Sequence, residues 1–173
     1  MYPVDDKDNV IEITGAPKLN PGAPCPMVLS DEHCLILSYI VFEKVPVPLP
    51  RFADPFEKWA IVEFHRPQAH MFGPPNDEAF SGHPLASRGL QPYAIHEVRN
   101  SSWVRQLEKM NSVHPQHNPK GYDGLKHYVF AFHDSTFECI ARGFNAVIVT
   151  GLEELILDQM RARIIAKSKD PLQ

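Results

Sequence analysis

Nine histidines in a chain of 173 residues are the side chains best suited to chemistry. Imidazole titrates near neutral pH and binds transition metals, so it can act as a general base or as a ligand. His133 and Glu138 lie in a stretch, residues 127–142, whose apolar residues alternate as in a β-hairpin. On the polar face of such a hairpin they are diagonal neighbours, and a carboxylate can orient an imidazole for proton transfer. The pair predicts a catalytic dyad, and a solvent-exposed structural pair is the alternative.

The register of this hairpin follows if Asp134 and Ser135 form its turn. Phe132 then lies opposite Phe137, and the aromatic side chains share one face of the hairpin while the polar ones share the other. Cys139 falls on the aromatic face, away from His133. It is therefore predicted to be a buried, packed thiol and not a nucleophile, since free cysteine is among the most buried residue types.

A second group of polar residues has the composition of an open metal site. Glu63 and His65 stand at positions i and i+2 of a predicted strand, so both side chains can point at one ion, and His83 follows in the next loop. They predict a site for a divalent metal. The alternative needs no ion: the imidazoles hydrogen-bond loop backbone that would otherwise be unsatisfied. The recognised zinc-enzyme spacings, such as HExxH, are absent from the sequence.

A loop predicted over residues 66–92 carries a third set of candidates. It is built largely from turn-forming residues, and loops of this length are uncommon in compact domains unless they have a function. Its polar residues predicted to bind a ligand are His70, Asn76, Asp77 and Glu78. The alternative for Asp77 is that it caps a short helix, which Asp and Asn do commonly.

Several function classes have no support in the sequence. The net charge is −4 without any block of like charges, so neither nucleic acid nor an anionic membrane is an expected partner. Glycine-rich phosphate loops are missing, so no nucleotide cofactor is expected. The chain has no apolar run of membrane-spanning length, and its first residues are acidic, unlike a signal peptide. The cysteines are odd in number and form no CxxC pair. Together, these features predict a cytoplasmic protein with reduced thiols.

The elements predicted from the sequence are mostly short strands. There are 17 prolines, and they make residues 1–30 and 44–57 irregular, apart from a weakly alternating strand over 10–14. Strands are expected over 34–43, 58–65, 93–99 and 145–149, besides the hairpin. Helices are expected over about 101–113, capped by Ser101 or Ser102, and over 151–167.

This order of elements predicts the fold class. It has no alternation of strand and helix of the kind that builds parallel sheets, so residues 1–173 are expected to form one α+β domain. Its sheet should be mainly antiparallel and able to curl into a half-barrel.

Two functions from different classes fit the sequence. The first is a non-enzymatic binding or assembly module, in which the Pro-rich N-terminal region and the long loop contact a protein partner or an identical subunit. The second is a small enzyme or ligand-binding domain whose histidines and glutamates converge under the loop, around a divalent metal if one is bound. The lack of a recognised catalytic motif favours the first.

Overall fold

The computed structural model describes residues 2–42 and 57–168, which form nine strands and two helices. The elements in chain order are β1 (Asn9–Glu12), β2 (Met27–Ser30), β3 (Leu35–Ile40), β4 (Glu57–His65), β5 (Ala69–Gly73), β6 (Ile95–Arg99), α1 (Ser102–Asn111), β7 (Lys126–Ala131), β8 (Thr136–Ala141), β9 (Gly143–Gly151) and α2 (Glu153–Ser168).

The strands form two antiparallel sheets. One has five strands in the order β1-β6-β7-β8-β5, and the other has four in the order β2-β3-β4-β9. Neither sheet is closed. The predicted α+β class with antiparallel pairing is confirmed, but the strands divide between two sheets, where one curled sheet was expected.

Aromatic and aliphatic side chains fill the space between the two sheets. β4 shows why: Ala60, Val62 and Phe64 alternate with Trp59 and Ile61, so one set faces the other sheet and one faces outward. This strand lies where one was predicted, over 58–65.

The outer face of each sheet is covered by a helix. Trp103 of α1 packs on the five-stranded sheet, together with the loop that follows β5. Ile156 and Met160 of α2 pack on the four-stranded sheet, on the side away from the interior. Each sheet thus has one face in the interior and a helix packed on the other. Among the described residues, no helix is long and apolar enough to cross a membrane.

The hairpin of β7 and β8 has the predicted faces but a different register. Phe130 lies opposite Phe137, and the N–H of Phe132 donates to the carbonyl of Ser135 at 2.9 Å. The turn is therefore at residues 133–134, and the predicted pairing of Phe132 with Phe137 was wrong. Moving the turn by one residue shifts the pairing by two, and a shift of two keeps every side chain on its face.

The aromatic face of the hairpin is interior, as predicted. Phe132, Phe137 and Cys139 are all buried between the sheets. Burial raises the pKa of the Cys139 thiol well above its ordinary value, and the nearby Glu138 carboxylate adds to this. The prediction of a packed, unreactive thiol is confirmed in its burial.

Three segments differ from the sequence-based expectation. The predicted loop over 66–92 contains strand β5 and two short 3-10 turns, Phe80–Gly82 and Ala86–Arg88. The segment over 1–30, predicted to be irregular apart from a strand over 10–14, contains β2 as well as β1, which overlaps that predicted strand. The predicted irregular segment over 44–57 lies outside the described residues, except for Glu57, which begins β4. The two helices occur close to their predicted positions.

Candidate functional site

A buried carboxylate organises the polar groups on the outer face of the five-stranded sheet. Glu138 of β8 is 7 % exposed and accepts hydrogen bonds from three side chains. Nε2 of His127 is 2.8 Å from one carboxylate oxygen and Nε2 of His83 is 3.2 Å from the other. The Tyr2 hydroxyl donates to the oxygen that His127 contacts. We call these four residues the Glu138 cluster.

Hydrogen bonds at the second ring nitrogen indicate which tautomer of each neutral imidazole fits the cluster. Nδ1 of His83 accepts from the N–H of Leu85 at 3.1 Å, so its hydrogen is on Nε2 and is donated to Glu138. Nδ1 of His127 is 3.0 Å from Oγ of Ser101, whose hydroxyl can donate to it. Ser101 is the N-cap of α1, and its Oγ also accepts from the N–H of Val104.

The N-terminal segment covers this cluster. The Tyr2 ring stacks on Trp103 with centroids 5.1 Å apart, and Oδ1 of Asp8 accepts from the N–H of Ser102 at 2.6 Å. Asp5 forms an ion pair with Arg105 at 2.6 Å. We call residues 2–8 the N-terminal strap, because three of its side chains attach it to the sheet and to α1.

The pKa of Glu138 reflects two opposing effects. Burial would raise it, but hydrogen bonds from His127 and His83, attraction to His127 and the Tyr2 hydroxyl outweigh burial and lower it to about 2. Burial, followed by the neighbouring carboxylate, raises the pKa of Tyr2. Glu138 is therefore ionised in the folded protein, and Tyr2 stays a hydrogen-bond donor.

A pH dependence of stability follows from this pKa. Because the folded value, about 2, lies below the ordinary value of 4.5, ionised Glu138 contributes stability that is fully present above about pH 4.5 and is lost as the pH falls toward 2. The contribution is about 3 kcal/mol. The free energy of unfolding, measured with urea at pH 6 and at pH 3, should fall in the natural chain as Glu138 is protonated. Glu138→Gln should lack this part of the fall. An equal loss of stability in both proteins at pH 3 would contradict this assignment.

The predicted dyad of His133 and Glu138 does not form. Glu138 is bound within its buried cluster, whereas His133 lies in the hairpin turn with 39 % of its side chain exposed. The carboxylate beside His133 is instead that of Asp77, whose Oδ2 is 2.9 Å from Nδ1 of the ring. The prediction of the dyad depended on a hairpin register that is shifted in the structure. It also depended on an exposed polar face, which α1 and the N-terminal strap cover.

Asp77, His133 and Tyr93 form a separate polar group at the surface. The Tyr93 hydroxyl donates to Asp77, and its ring stacks on His133 with centroids 6.1 Å apart. The bond from Tyr93, more than the one from His133, holds the pKa of Asp77 below its ordinary value, although desolvation opposes both. An imidazole oriented by a carboxylate can transfer protons.

The three predicted metal ligands are not together. Glu63 lies on the outer face of the four-stranded sheet and accepts from Arg163 and Lys167 of α2. His65, on the same strand face, is exposed, whereas His83 is in the Glu138 cluster on the other sheet. Two sheets separate Glu63 and His65 from His83, so the structure does not bring the three predicted ligands together. Within residues 2–42 and 57–168, no group of three His, Cys, Asp or Glu side chains could hold a metal ion.

The predicted ligand-binding residues are split between a strand and a turn. His70 is in β5 and stacks on Phe137 with centroids 6.4 Å apart. Oδ1 of Asn76 accepts from the N–H of Ala79 at 3.1 Å, which closes the turn before the first 3-10 segment. Glu78 is exposed there, and its N–H donates to the Asp77 carboxylate. Local capping accounts for Asn76 and part of Asp77, and whether these residues bind a ligand stays a prediction.

An uncharged strand forms one edge of the four-stranded sheet. β9 pairs with β4 along all nine of its residues, and no other described strand pairs with its second edge. Val147 and Ile148 are 42 % and 57 % exposed, and Leu152 and Leu155 beyond the strand are 59 % and 48 % exposed. These four residues and the free edge are called the β9 edge.

Sequence reasoning missed Tyr2, Ser101 and His127 as members of a polar cluster. His127 was expected only on the polar face of the hairpin, and Ser101 only as a helix cap. Tyr2 is 136 positions from Glu138 in the chain, so no local pattern could join them. The available signal was weak: two polar residues, His127 and Glu138, stand on a strand face that is otherwise apolar.

Comparisons of the chain with protein-family models, with curated proteins and with solved structures found no match. The function must therefore be inferred from the geometry of this chain alone.

Proposed function

We propose that this chain is an assembly module that pairs with a second copy of itself through the β9 edge. The observation that carries the proposal is the exposure of Val147 and Ile148 on a free, nine-residue strand. A free strand edge presents unpaired backbone donors and acceptors, which a second strand can satisfy. Pairing two such edges joins the four-stranded sheets of the two copies into one.

The sequence of β9 supports pairing because it lacks the usual protection of an edge strand. Natural edges are short, or carry lysine, proline or a bulge that blocks pairing. β9 contains neither a charged residue nor a proline between Gly143 and Gly151, and its pairing with β4 is continuous. By contrast, the other three edge strands are short: β1 and β2 have four residues each and β5 has five. β9 is thus the edge best suited to a partner strand.

Charge favours a second copy as that partner. Arg142 stands before β9, and Glu153 and Glu154 stand just after it. In an antiparallel pair centred on Val147, Arg142 of each copy lies opposite Leu152 of the other, beside those two carboxylates. The ends of the strand therefore attract in the self-paired arrangement.

A groove beside the strand adds apolar surface. It has a volume of about 620 Å³ and is lined by Phe144, Ala146 and Ile148 together with the segment from Ile13 to Pro17. Ala146 lies opposite Ile148 of the second copy in the same arrangement, so their side chains meet over this groove. Burial of these groups stabilises the pair by roughly 25 cal/mol per Å² of apolar surface removed from water.

Sedimentation equilibrium of purified chain tests the proposal. We expect a dimer, and Val147→Lys should weaken dimerisation about 100-fold because it places a charge in the paired edge. Met110→Lys is the matched control, since Met110 is 64 % exposed on α1 and should have no effect. A monomer at all concentrations, or a dimer unaffected by Val147→Lys, overturns the proposal.

Charge exchange tests the antiparallel arrangement. Arg142→Glu alone and Glu153→Arg with Glu154→Arg should each weaken the dimer, because each places like charges together. The variant that carries all three changes should recover most of the natural affinity. An affinity that falls further in the triple variant contradicts this alignment.

A further inference from the structure

We propose that Ser101 is the nucleophile of an ester-hydrolysing site, with His127 as its base and Glu138 orienting that base, and that the N-terminal strap holds the site closed. This inference is independent of pairing at the β9 edge. Oγ of Ser101 is 3.0 Å from Nδ1 of His127, and Nε2 of His127 is 2.8 Å from Glu138. Serine, imidazole and carboxylate thus form a continuous hydrogen-bonded relay.

The protonation of the relay is the one that a nucleophilic serine needs. Glu138 accepts the hydrogen on Nε2 of His127, which leaves the lone pair of Nδ1 facing the Ser101 hydroxyl. An adjacent base with a third group to orient it is the arrangement that activates a serine. In the usual triad Nε2 of the histidine faces the serine and Nδ1 faces the carboxylate. Here Nδ1 faces Ser101 and Nε2 faces Glu138, and the proton still passes from the serine to the imidazole.

Ser101 stands where a cleft meets a tight strand-to-helix turn. It lines a cleft of about 850 Å³ and joins β6 to α1 through Asn100, whose φ is +53°. Only a small fraction of non-glycine residues adopt a positive φ. A serine presented on a constrained turn between a strand and a helix is the placement found in hydrolases that use a serine nucleophile.

An oxygen-binding group is present beside the serine. The N–H of Ser102, the residue after Ser101, donates to Oδ1 of Asp8 at 2.6 Å. This N–H belongs to the first turn of α1, where backbone donors and the helix dipole favour negative oxygen. It can therefore stabilise the oxyanion of a tetrahedral intermediate once Asp8 leaves.

The strap places its carboxylates where an anionic substrate would bind. Asp8 is on the Ser102 N–H, and Asp5 is paired with Arg105, which lines the cleft. The charged residues of the cleft wall are four cations and two carboxylates: Lys7, Arg99, Arg105, Lys126, Glu97 and Asp123. With the strap displaced, Lys7 leaves with it, and the remaining wall has three cations and two carboxylates, a net charge of +1. Small esters that carry a negative group are therefore the expected substrates.

The reaction balances without any further reagent than water. Oγ of Ser101 bonds to the ester carbonyl carbon while its proton passes to Nδ1 of His127. The tetrahedral intermediate collapses, the C–O bond to the alcohol breaks, and that proton leaves with the alcohol. Water then attacks the acyl-serine, again giving a proton to His127, and Ser101 recovers its proton as the carboxylic acid departs.

A fluorophosphonate probe and a p-nitrophenyl acetate burst assay on the full chain test the proposal. The probe should label Ser101, as located by mass spectrometry, through loss of fluoride. Ser101→Asn should abolish label and burst while keeping a residue that caps α1 well. Ser112→Ala, at the other end of α1, is the control that should retain both.

The strap is tested by Asp8→Asn, which should speed acylation about tenfold by shifting the population toward the open form. Asp6→Asn, on the exposed part of the strap, should leave the rate unchanged. Absence of label in both the natural chain and Asp8→Asn, or label on a residue other than Ser101, overturns the proposal.

Discussion

Replacing Glu138 by alanine is expected to lower the free energy of unfolding by at least about 3 kcal/mol. The carboxylate accepts from His83, His127 and Tyr2, so its removal leaves three buried donors without an acceptor. Each buried donor that loses its partner costs about 1–3 kcal/mol. Water that enters the vacated space can recover only part of this loss.

Urea unfolding of Glu138→Ala measures the effect, and Glu97→Ala is its control. Glu97 is on β6 of the same sheet and pairs with Arg99 and Lys126 at 3.6 and 3.3 Å, but those partners are well exposed. Ion pairs of that kind contribute about 0–1 kcal/mol. Similar losses in the two variants would show that Glu138 does not organise the cluster.

The Glu138 cluster also connects the N-terminal strap to the sheet. Tyr2 bonds to Glu138 and stacks on Trp103 of α1, so loss of the carboxylate removes one of the strap's anchors. The strap should then be cleaved faster by proteases in Glu138→Ala than in the natural chain, because cleavage requires local opening. Stability and accessibility of the Ser101 region are thereby linked through one side chain.

Periodicity was sufficient to predict which side chains face the interior. In the hairpin, alternate residues had to share a face, so Phe132, Phe137 and Cys139 were placed together even though their pairing was shifted. The same alternation separates Phe64 from Trp59 in β4. Side chains alternate between the two faces of a strand, so an error of two residues in register leaves each side chain on its correct face. The face of a residue was therefore easier to predict than its partner on the neighbouring strand.

Alternation could not predict what covers the outer face. His127 and Glu138 look like residues of a solvent-facing side, but the strap, α1 and the segment from Phe80 to Leu90 bury them. That layer is assembled from parts of the chain far apart in sequence. The sequence therefore did not reveal that this face is buried, and Glu138 was paired with His133 instead of with His127.

Strand β5 escaped prediction for a local reason. It has only five residues and is followed at once by Pro74 and Pro75, so its composition resembles that of a loop. Its place in the sheet comes from pairing with β8, in which His70 lies opposite Cys139. Tertiary pairing decides the conformation of such short segments more than intrinsic propensity does.

Replacing Phe64 by alanine is expected to lower the free energy of unfolding by about 3–5 kcal/mol, the usual cost of truncating a buried phenylalanine. Phe64 is 1 % exposed and contacts aromatic rings of the other sheet. Its centroid lies 5.5 Å from that of Phe137 in the five-stranded sheet and 5.9 Å from that of Phe144 in β9. Removing the ring leaves a cavity that neither sheet can close alone.

Chemical unfolding of Phe64→Ala tests this, with Phe42→Ala as the control, since Phe42 is 48 % exposed and should change stability by less than about 1 kcal/mol. At a slope near 2 kcal/mol/M, the urea midpoint of Phe64→Ala should fall by about 2 M. Because Phe64 supports β9 through Phe144, the variant should also dimerise less tightly than the natural chain. Equal midpoints for the two variants would mean that the sheets do not depend on this ring, and a weakened dimer in Phe42→Ala alone would move the interface away from β9.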